Sequence, residues 1–147
     1  MSKKYDMTIG GETVAADSYT DIRNPANTEE VVGQAPVGTK AHLDKAVDAA
    51  AKAYQSWRYS SDKERADACN AIAQVCTDNA EELAVLLTKE QGKPLGGLGS
   101  HFEMGGCGAW AGYTASLSLE DKVIEDSAEK RIIQQRVPLG VVGSITP

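Results

Sequence analysis

The sequence predicts an α/β chain that is mostly helical, with a β-hairpin near its N-terminus and strands toward its C-terminus. Three observations carry this reading. Short alternating runs flank Gly10-Gly11, and three amphipathic stretches with recognisable caps follow one another between Thr39 and Gly92. The chain then closes on the β-branched, apolar run Val141-Val142-Gly143-Ser144-Ile145, bounded by Gly140 and Pro147. A run of that kind reads as a strand buried on both faces, as inside a parallel sheet. Such a strand needs neighbours at both edges and helices above and below, so the domain is expected to be interrupted here.

Taken in order, Met7-Thr8-Ile9 and Glu12-Thr13-Val14 are joined by two glycines, a hairpin signal. Asn24-Pro25-Ala26-Asn27 reads as a turn, because proline presets φ and asparagine tolerates unusual backbone angles. Residues 31–37 look extended and Gly38 ends them. Thr39 is an N-cap for a first helix whose Leu43, Ala46, Val47, Ala50, Tyr54 and Trp57 share one face. Ser61-Asp62-Lys63-Glu64 has capping-box spacing and opens a second helix, with Ala68, Cys69, Ile72, Val75 and Cys76 on its apolar side. Asn79 caps a third helix with the stripe Leu83, Leu86 and Leu87, and Gly92 followed by Pro94 stops it.

From Gly92 to Gly112 lie eight of the fourteen glycines, which by propensity argues for loop. Phe102, Ala109, Trp110, Tyr113 and Leu117 nevertheless keep helical spacing, so a helix is expected from near Leu95 to Ser116. Lys122-Val123-Ile124-Glu125 and the segment 130–137 read as strands joined by Asp126 to Glu129. The second leads through Pro138 into the terminal strand.

Composition bounds the function. Of 147 residues, 41% are hydrophobic and 24% charged, as in globular proteins rather than disordered ones. A formal net charge of −6 argues against binding to nucleic acid phosphates. No signal peptide and no membrane-length apolar run stand in the sequence. Three cysteines, an odd number, point to reduced thiols and a cytoplasmic location. Cys69 and Cys76, seven apart on one helix, lie about 10 Å apart, too far for a disulfide.

The residues with chemistry in them assemble no complete catalytic site. G-x-G-x-x-G fails at Phe102 after Gly97-Leu98-Gly99 and at Ala111 after Gly106-Cys107-Gly108, and neither stretch follows a strand. Gly92-Lys93 continues with proline, so it is not a Walker motif; the glycines read as close-packing residues. His42 and His101 have no second ligand at metal-binding spacing. Cys69 and Cys76 read as small core hydrophobes, and Cys107 has no basic neighbour in sequence. Asp62, Glu64, Asp78, Glu81 and Glu82 stand where helix dipoles and caps use acids.

Three stretches change this picture: Asn24-Pro25-Ala26 before Val31-Val32-Gly33, then Glu90-Gln91-Gly92-Lys93-Pro94-Leu95, then the segment from Pro138-Leu139-Gly140 to Ile145-Thr146-Pro147. In this order and spacing, with Trp57-Arg58 and Glu64-Arg65 between them, the chain resembles the NAD(P)-dependent aldehyde dehydrogenases. The resemblance implies residues 1–118 as the N-terminal part of a Rossmann-like NAD(P)-binding domain and 119–137 as strands of an oligomerisation arm that reaches a neighbouring subunit. Residues 138–147 would be the first strand of the cofactor sheet, with Ile145, Thr146 and Pro147 near the nicotinamide ribose and the domain interrupted after them.

It also implies an activity. In the family a cysteine thiolate attacks the aldehyde, hydride passes to NAD or NADP, and a glutamate-activated water releases the acid. The asparagine of the oxyanion hole, the ribose-binding lysine, the general base and the nucleophile belong to later motifs, and Cys69, Cys76 and Cys107 do not match the nucleophile's. The chain alone is therefore expected to bind cofactor weakly if at all, to be inactive, and to self-associate through its arm strands. The aldehyde would be a substrate of the full-length protein only. A standalone oligomerisation module without catalysis is the alternative.

Overall fold

The computed structural model describes residues 3–146. Its N-terminal half is built on local turn chemistry. Strands β1 (Lys3–Lys4), β2 (Met7–Ile9) and β3 (Glu12–Val14) come first, followed by β4 (Tyr19–Asn24) and β5 (Asn27–Pro36). β2 and β3 form the expected antiparallel hairpin, with Gly10 and Gly11 at φ of 62° and 86°, the positive angles that primed two-residue turns require. β5 is the centre of a three-stranded sheet, antiparallel to β4 and parallel to β1. Asn24 makes the turn before β5 by accepting the Ala26 N–H on its Oδ1 at 2.9 Å. Gly33 lies between Ile22 and Lys3 in the ladders.

Four helices follow: α1 (Lys40–Trp57), α2 (Asp62–Asp78), α3 (Ala80–Gln91) and α4 (Ser100–Ala115). The first two open on full capping boxes, as the sequence predicts for Ser61-Glu64. At α1 the box is closed by a histidine. His42 Nδ1 accepts the Thr39 N–H at 3.2 Å while the His42 N–H reaches Thr39 Oγ1 at 3.3 Å. The Glu64 carboxyl is held below the usual carboxylate range, first by the Ser61 backbone N–H and then by the Ser61 hydroxyl. Asn79 stands where α2 ends and α3 begins, but its side chain makes no N-cap bond to α3. Its Nδ2 donates back to Val75 O at 2.8 Å.

α3 joins sheet to helices. At its C-terminal end Gly92 adopts φ +70°, and a Cβ placed there would lie 2.9 Å from Cγ of Pro25. The two motifs Asn24-Pro25-Ala26 and Gln91-Gly92-Lys93 therefore meet in space. Beside them Lys89 Nζ pairs with Glu30 at 2.9 Å and Asn24 Nδ2 donates to the same carboxylate at 2.8 Å. The Asn24 bond and then Lys89 lower the Glu30 pKa.

α4 packs against α2 and α3. Gly108 brings its backbone close to α2, where an added Cβ would sit 3.4 Å from Thr77 Oγ1. Thr88 Oγ1 donates to the fully buried Ser100 Oγ at 2.9 Å. The helix begins five residues later than Leu95, where the sequence reading starts it. Residues 92–99 form a tight loop closed by Ser100 N–H to Pro94 O at 2.8 Å. Pro94 lacks a donor, and a Cβ on Gly99 would overlap Pro94 O at 1.8 Å, so this backbone path admits only glycine there.

A second hairpin, β6 (Lys122–Asp126) and β7 (Arg131–Gln134), matches the two strands expected between 122 and 137, although β7 is shorter than the expected 130–137. Its turn is tied by Ser127 N–H to Lys130 O at 2.9 Å. Side chains on both faces are exposed, Val123, Ile124, Ile132 and Ile133 among them.

Two expectations are corrected. Residues 138–146 form no strand, because a strand exists by pairing and none of the described strands lies beside this one. The apolar stripes of α1 and α2 are also only partly covered. Leu43 is 63% exposed and Ile72 57%. On α2 the smaller Ala66, Cys69, Ala73 and Cys76 are half-buried in their place. A self-contained globule of 15.6 kDa exposes roughly 7,200 Å², whereas this chain exposes 11181 Å². Its helices carry faces that nothing among the described residues covers.

Candidate functional site

The residues expected to rim a nicotinamide lie at the end of the uncovered segment. Tyr54 OH, on α1, donates to Pro138 O at 3.4 Å and ties the start of that segment to the helix. Beyond it Val142 is exposed and Ile145 is fully exposed, at 101%. Thr146 is exposed as well, and Pro147 lies outside the described residues. A dinucleotide needs a crevice at the carboxyl ends of neighbouring strands and a helix N-terminus for its phosphates. Ile145 and Thr146 stand on no strand and no other element covers Ile145, so the described residues by themselves form no such crevice.

The remaining candidates have structural work. His42 closes the α1 capping box, and His101 Nε2 faces Glu81 Oε2 at 3.0 Å across α3 and α4. No group of three or more metal-ligating side chains occurs among the described residues. The cysteines are free. Cys69 and Cys76 are half-buried on α2 and Cys107 is exposed on α4. No hydrogen bond links any of them to a base among the described residues. Acyl transfer through a thiol needs a base placed to take its proton, and no hydrogen-bonded base stands beside any of the three among the described residues, although Arg65 shares a cavity with Cys69.

What the chain does assemble is a joint between sheet and helices. The β4–β5 turn, the end of α3 and the loop 92–99 converge through Pro25, Gly92 and the Lys89–Glu30 pair. Sequence reasoning singled out the motifs without placing them together. The signal available was the glycine itself, since a left-handed C-cap beside a Pro-containing turn leaves no room for a side chain.

Comparison with known proteins agrees with this picture. Residues 13–147 match the Aldehyde dehydrogenase family. A probable aldehyde dehydrogenase of Pseudomonas sp is 38% identical over 143 residues, covering 97% of this chain and 29% of the relative. Among solved structures, the NAD-dependent aldehyde dehydrogenase of Sinorhizobium meliloti superposes with a TM-score of 0.75 at 30% identity, over 83% of this chain and 26% of its own. An NADP dependent enzyme of E. coli superposes with a TM-score of 0.80 at 29% identity, over 89% and 28%. The α/β arrangement of hairpin, sheet and helices is thus that of a part of these enzymes, and the chain spans under a third of their length. Family match, sequence identity and superposition agree: this chain belongs to the aldehyde dehydrogenase family.

Proposed function

We propose that the chain supplies the N-terminal part of an NAD(P)-dependent aldehyde dehydrogenase, an oxidoreductase that converts an aldehyde to a carboxylic acid, and that alone it is inactive. One observation carries the reading: the family match runs through residues 13–147 while the chain spans only 29% of a curated relative. The setting of the thiols supports the inactivity. Oxidation through a thioester needs a thiolate beside a base and donors aimed at the oxyanion, and Cys69, Cys76 and Cys107 have neither. Residues 138–147 become the first strand of the cofactor sheet when flanking strands are present, and this brings Ile145, Thr146 and Pro147 to the rim of the nicotinamide site.

The purified chain, given an aldehyde with NAD⁺ or NADP⁺, should produce no aldehyde-dependent reduced nicotinamide. Turnover that thiol alkylation abolishes would overturn the proposed inactivity.

The β6–β7 hairpin, within 119–137, is proposed as an arm for self-association. Its apolar residues are exposed and its two outer edges are free among the described strands, which favours edge pairing. A monodisperse monomer by light scattering at micromolar concentration would count against this. The same hairpin favours a second reading, a standalone oligomerisation module. Codons following Pro147 in the source DNA discriminate the two, since a continuation that carries the oxyanion-hole asparagine is the enzyme's. A cytoplasmic location is proposed from the three free thiols. Among the described residues no helix is long and apolar enough to cross a membrane.

A further inference from the structure

The cleft where α1 ends, α2 begins and the chain leaves β7 differs from the rest of the surface in charge. It encloses about 500 Å³, and three guanidiniums and one carboxylate line it: Arg58, Arg65, Arg136 and Asp62. Three cations less one anion leave +2 on this space, in a chain whose formal charge is −6.

The three arginines are engaged differently. Arg65 is satisfied internally, donating to Ser60 O and to the Asp62 carboxylate. The only carboxylate of the cleft is thereby taken. Arg58 lies against two aromatic rings, its Cζ 5.1 Å from the centroids of both Tyr54 and Tyr59. That contact is a cation–π attraction, and no hydrogen bond or ion pair among the described residues takes the Arg58 side-chain N–H groups, which leaves them available to an acceptor. Arg136 makes no ion pair among the described residues. Of the nearby acids, Glu64 accepts the Ser61 N–H and hydroxyl at 2.7 and 2.8 Å and also feels the Arg65 charge, Asp121 accepts from Gln135 Nε2 at 2.6 Å, and neither they nor Glu120 line the cleft.

We propose that this cleft is a binding site for a single anionic group, a carboxylate or a phosphate, taken by the free edges of Arg58 and Arg136 with Arg65 as fixed background charge. Guanidinium forks match both groups in a bidentate way, and the space admits either one. The proposal concerns anion binding by the chain itself and needs neither the cofactor nor the thiols, so it can fail or hold separately from the dehydrogenase reading.

The test is a titration of the ¹⁵N-labelled full chain with inorganic phosphate at constant ionic strength, read by amide shifts. Saturable shifts confined to Tyr59, Ser60, Arg65 and the residues around Arg136 are expected. Arg136→Ala and Arg58→Ala should each weaken binding roughly tenfold or more, the loss of one charge-assisted contact. Arg136→Lys, which keeps charge but not the fork, should recover only part, and Lys45→Ala, on the exposed side of α1, should change nothing. Arg136 lies outside any helix or strand, and unchanged amide shifts away from the cleft in its variants verify that they fold.

Two further arms identify the source of the group. Acetate competing with phosphate assigns a carboxylate. Phosphate affinity that rises on diluting the protein assigns that carboxylate to a second copy of the chain. Non-saturating shifts, equal shifts with chloride, or wild-type affinity in Arg136→Ala would each overturn the proposal.

Discussion

Replacing Gly92 by alanine perturbs the joint between sheet and helices in two separable ways. The residue sits at φ 70°, ψ 14°, where an L-residue costs roughly 1–2 kcal/mol. The added Cβ would also lie 2.9 Å from Pro25 Cγ, and forcing extra volume into a packed contact costs roughly 1–3 kcal/mol. Together G92A should lose about 2–5 kcal/mol. Gly11 provides the reference, because its φ is also positive, at 86°, with nothing within 4 Å of an added Cβ. G11A should therefore lose only about 1–2 kcal/mol, from strain alone. Urea midpoints followed by far-UV circular dichroism measure both. Pro25→Ala removes the ring that the new Cβ meets, so the double variant P25A/G92A should be more stable than the sum of the singles by roughly 1 kcal/mol or more. Equal losses in G92A and G11A, or zero coupling between positions 25 and 92, would refute the steric account of the joint.

Three other outcomes follow from contacts described above. Ser100→Ala removes the buried acceptor of the Thr88 hydroxyl and should cost about 1–3 kcal/mol in thermal or urea unfolding. Adding Thr88→Val should cost less than the two single losses combined. Glu30 and Glu64 both have folded pKa values below the ordinary carboxylate value. Each therefore contributes stability that is fully present above about pH 4.3 and is lost as pH falls through the lowered folded value. Unfolding midpoints in acid should show this loss, diminished in Glu64→Gln and Glu30→Gln. Alkylation followed by mass spectrometry should modify the exposed Cys107 before the half-buried Cys69 and Cys76; equal rates at all three would contradict the burial of α2.

The elements legible in the sequence are those written in local chemistry. Ser61-x-x-Glu64 specifies a capping box whatever surrounds it, Gly10-Gly11 specifies a primed turn, and Gly92 specifies a left-handed cap. Features that depend on distant residues were not legible. β4 was missed because Tyr-Thr-Asp-Ile-Arg-Asn is mostly polar and its ladder shifts register at Ile22 and Arg23, which breaks the period-two signal. The start of α4 was placed too early because spacing alone does not show that Pro94 O occupies the place a side chain at residue 99 would need.

The terminal run differs for another reason. Val141, Val142 and Ile145 have the composition of a buried strand, but composition cannot supply the neighbour that makes one. For the same reason Leu43 and Ile72 keep the spacing of core residues while standing open. The candidate site was legible only through resemblance, because its residues lie on a segment that no described element covers.

The contact between Pro25 and Gly92 has a consequence for the order of assembly. It closes a loop that contains all of α1 and α2, so the sheet has no helix to lock against until α3 has been made. During synthesis α1 and α2 therefore leave the ribosome before the surface that will hold the chain together exists. Closing a long loop costs conformational entropy before any contact repays it. In that interval the capping boxes at Thr39 and Ser61 bias the two segments toward helix by about 1 kcal/mol each, while full helix formation waits on packing.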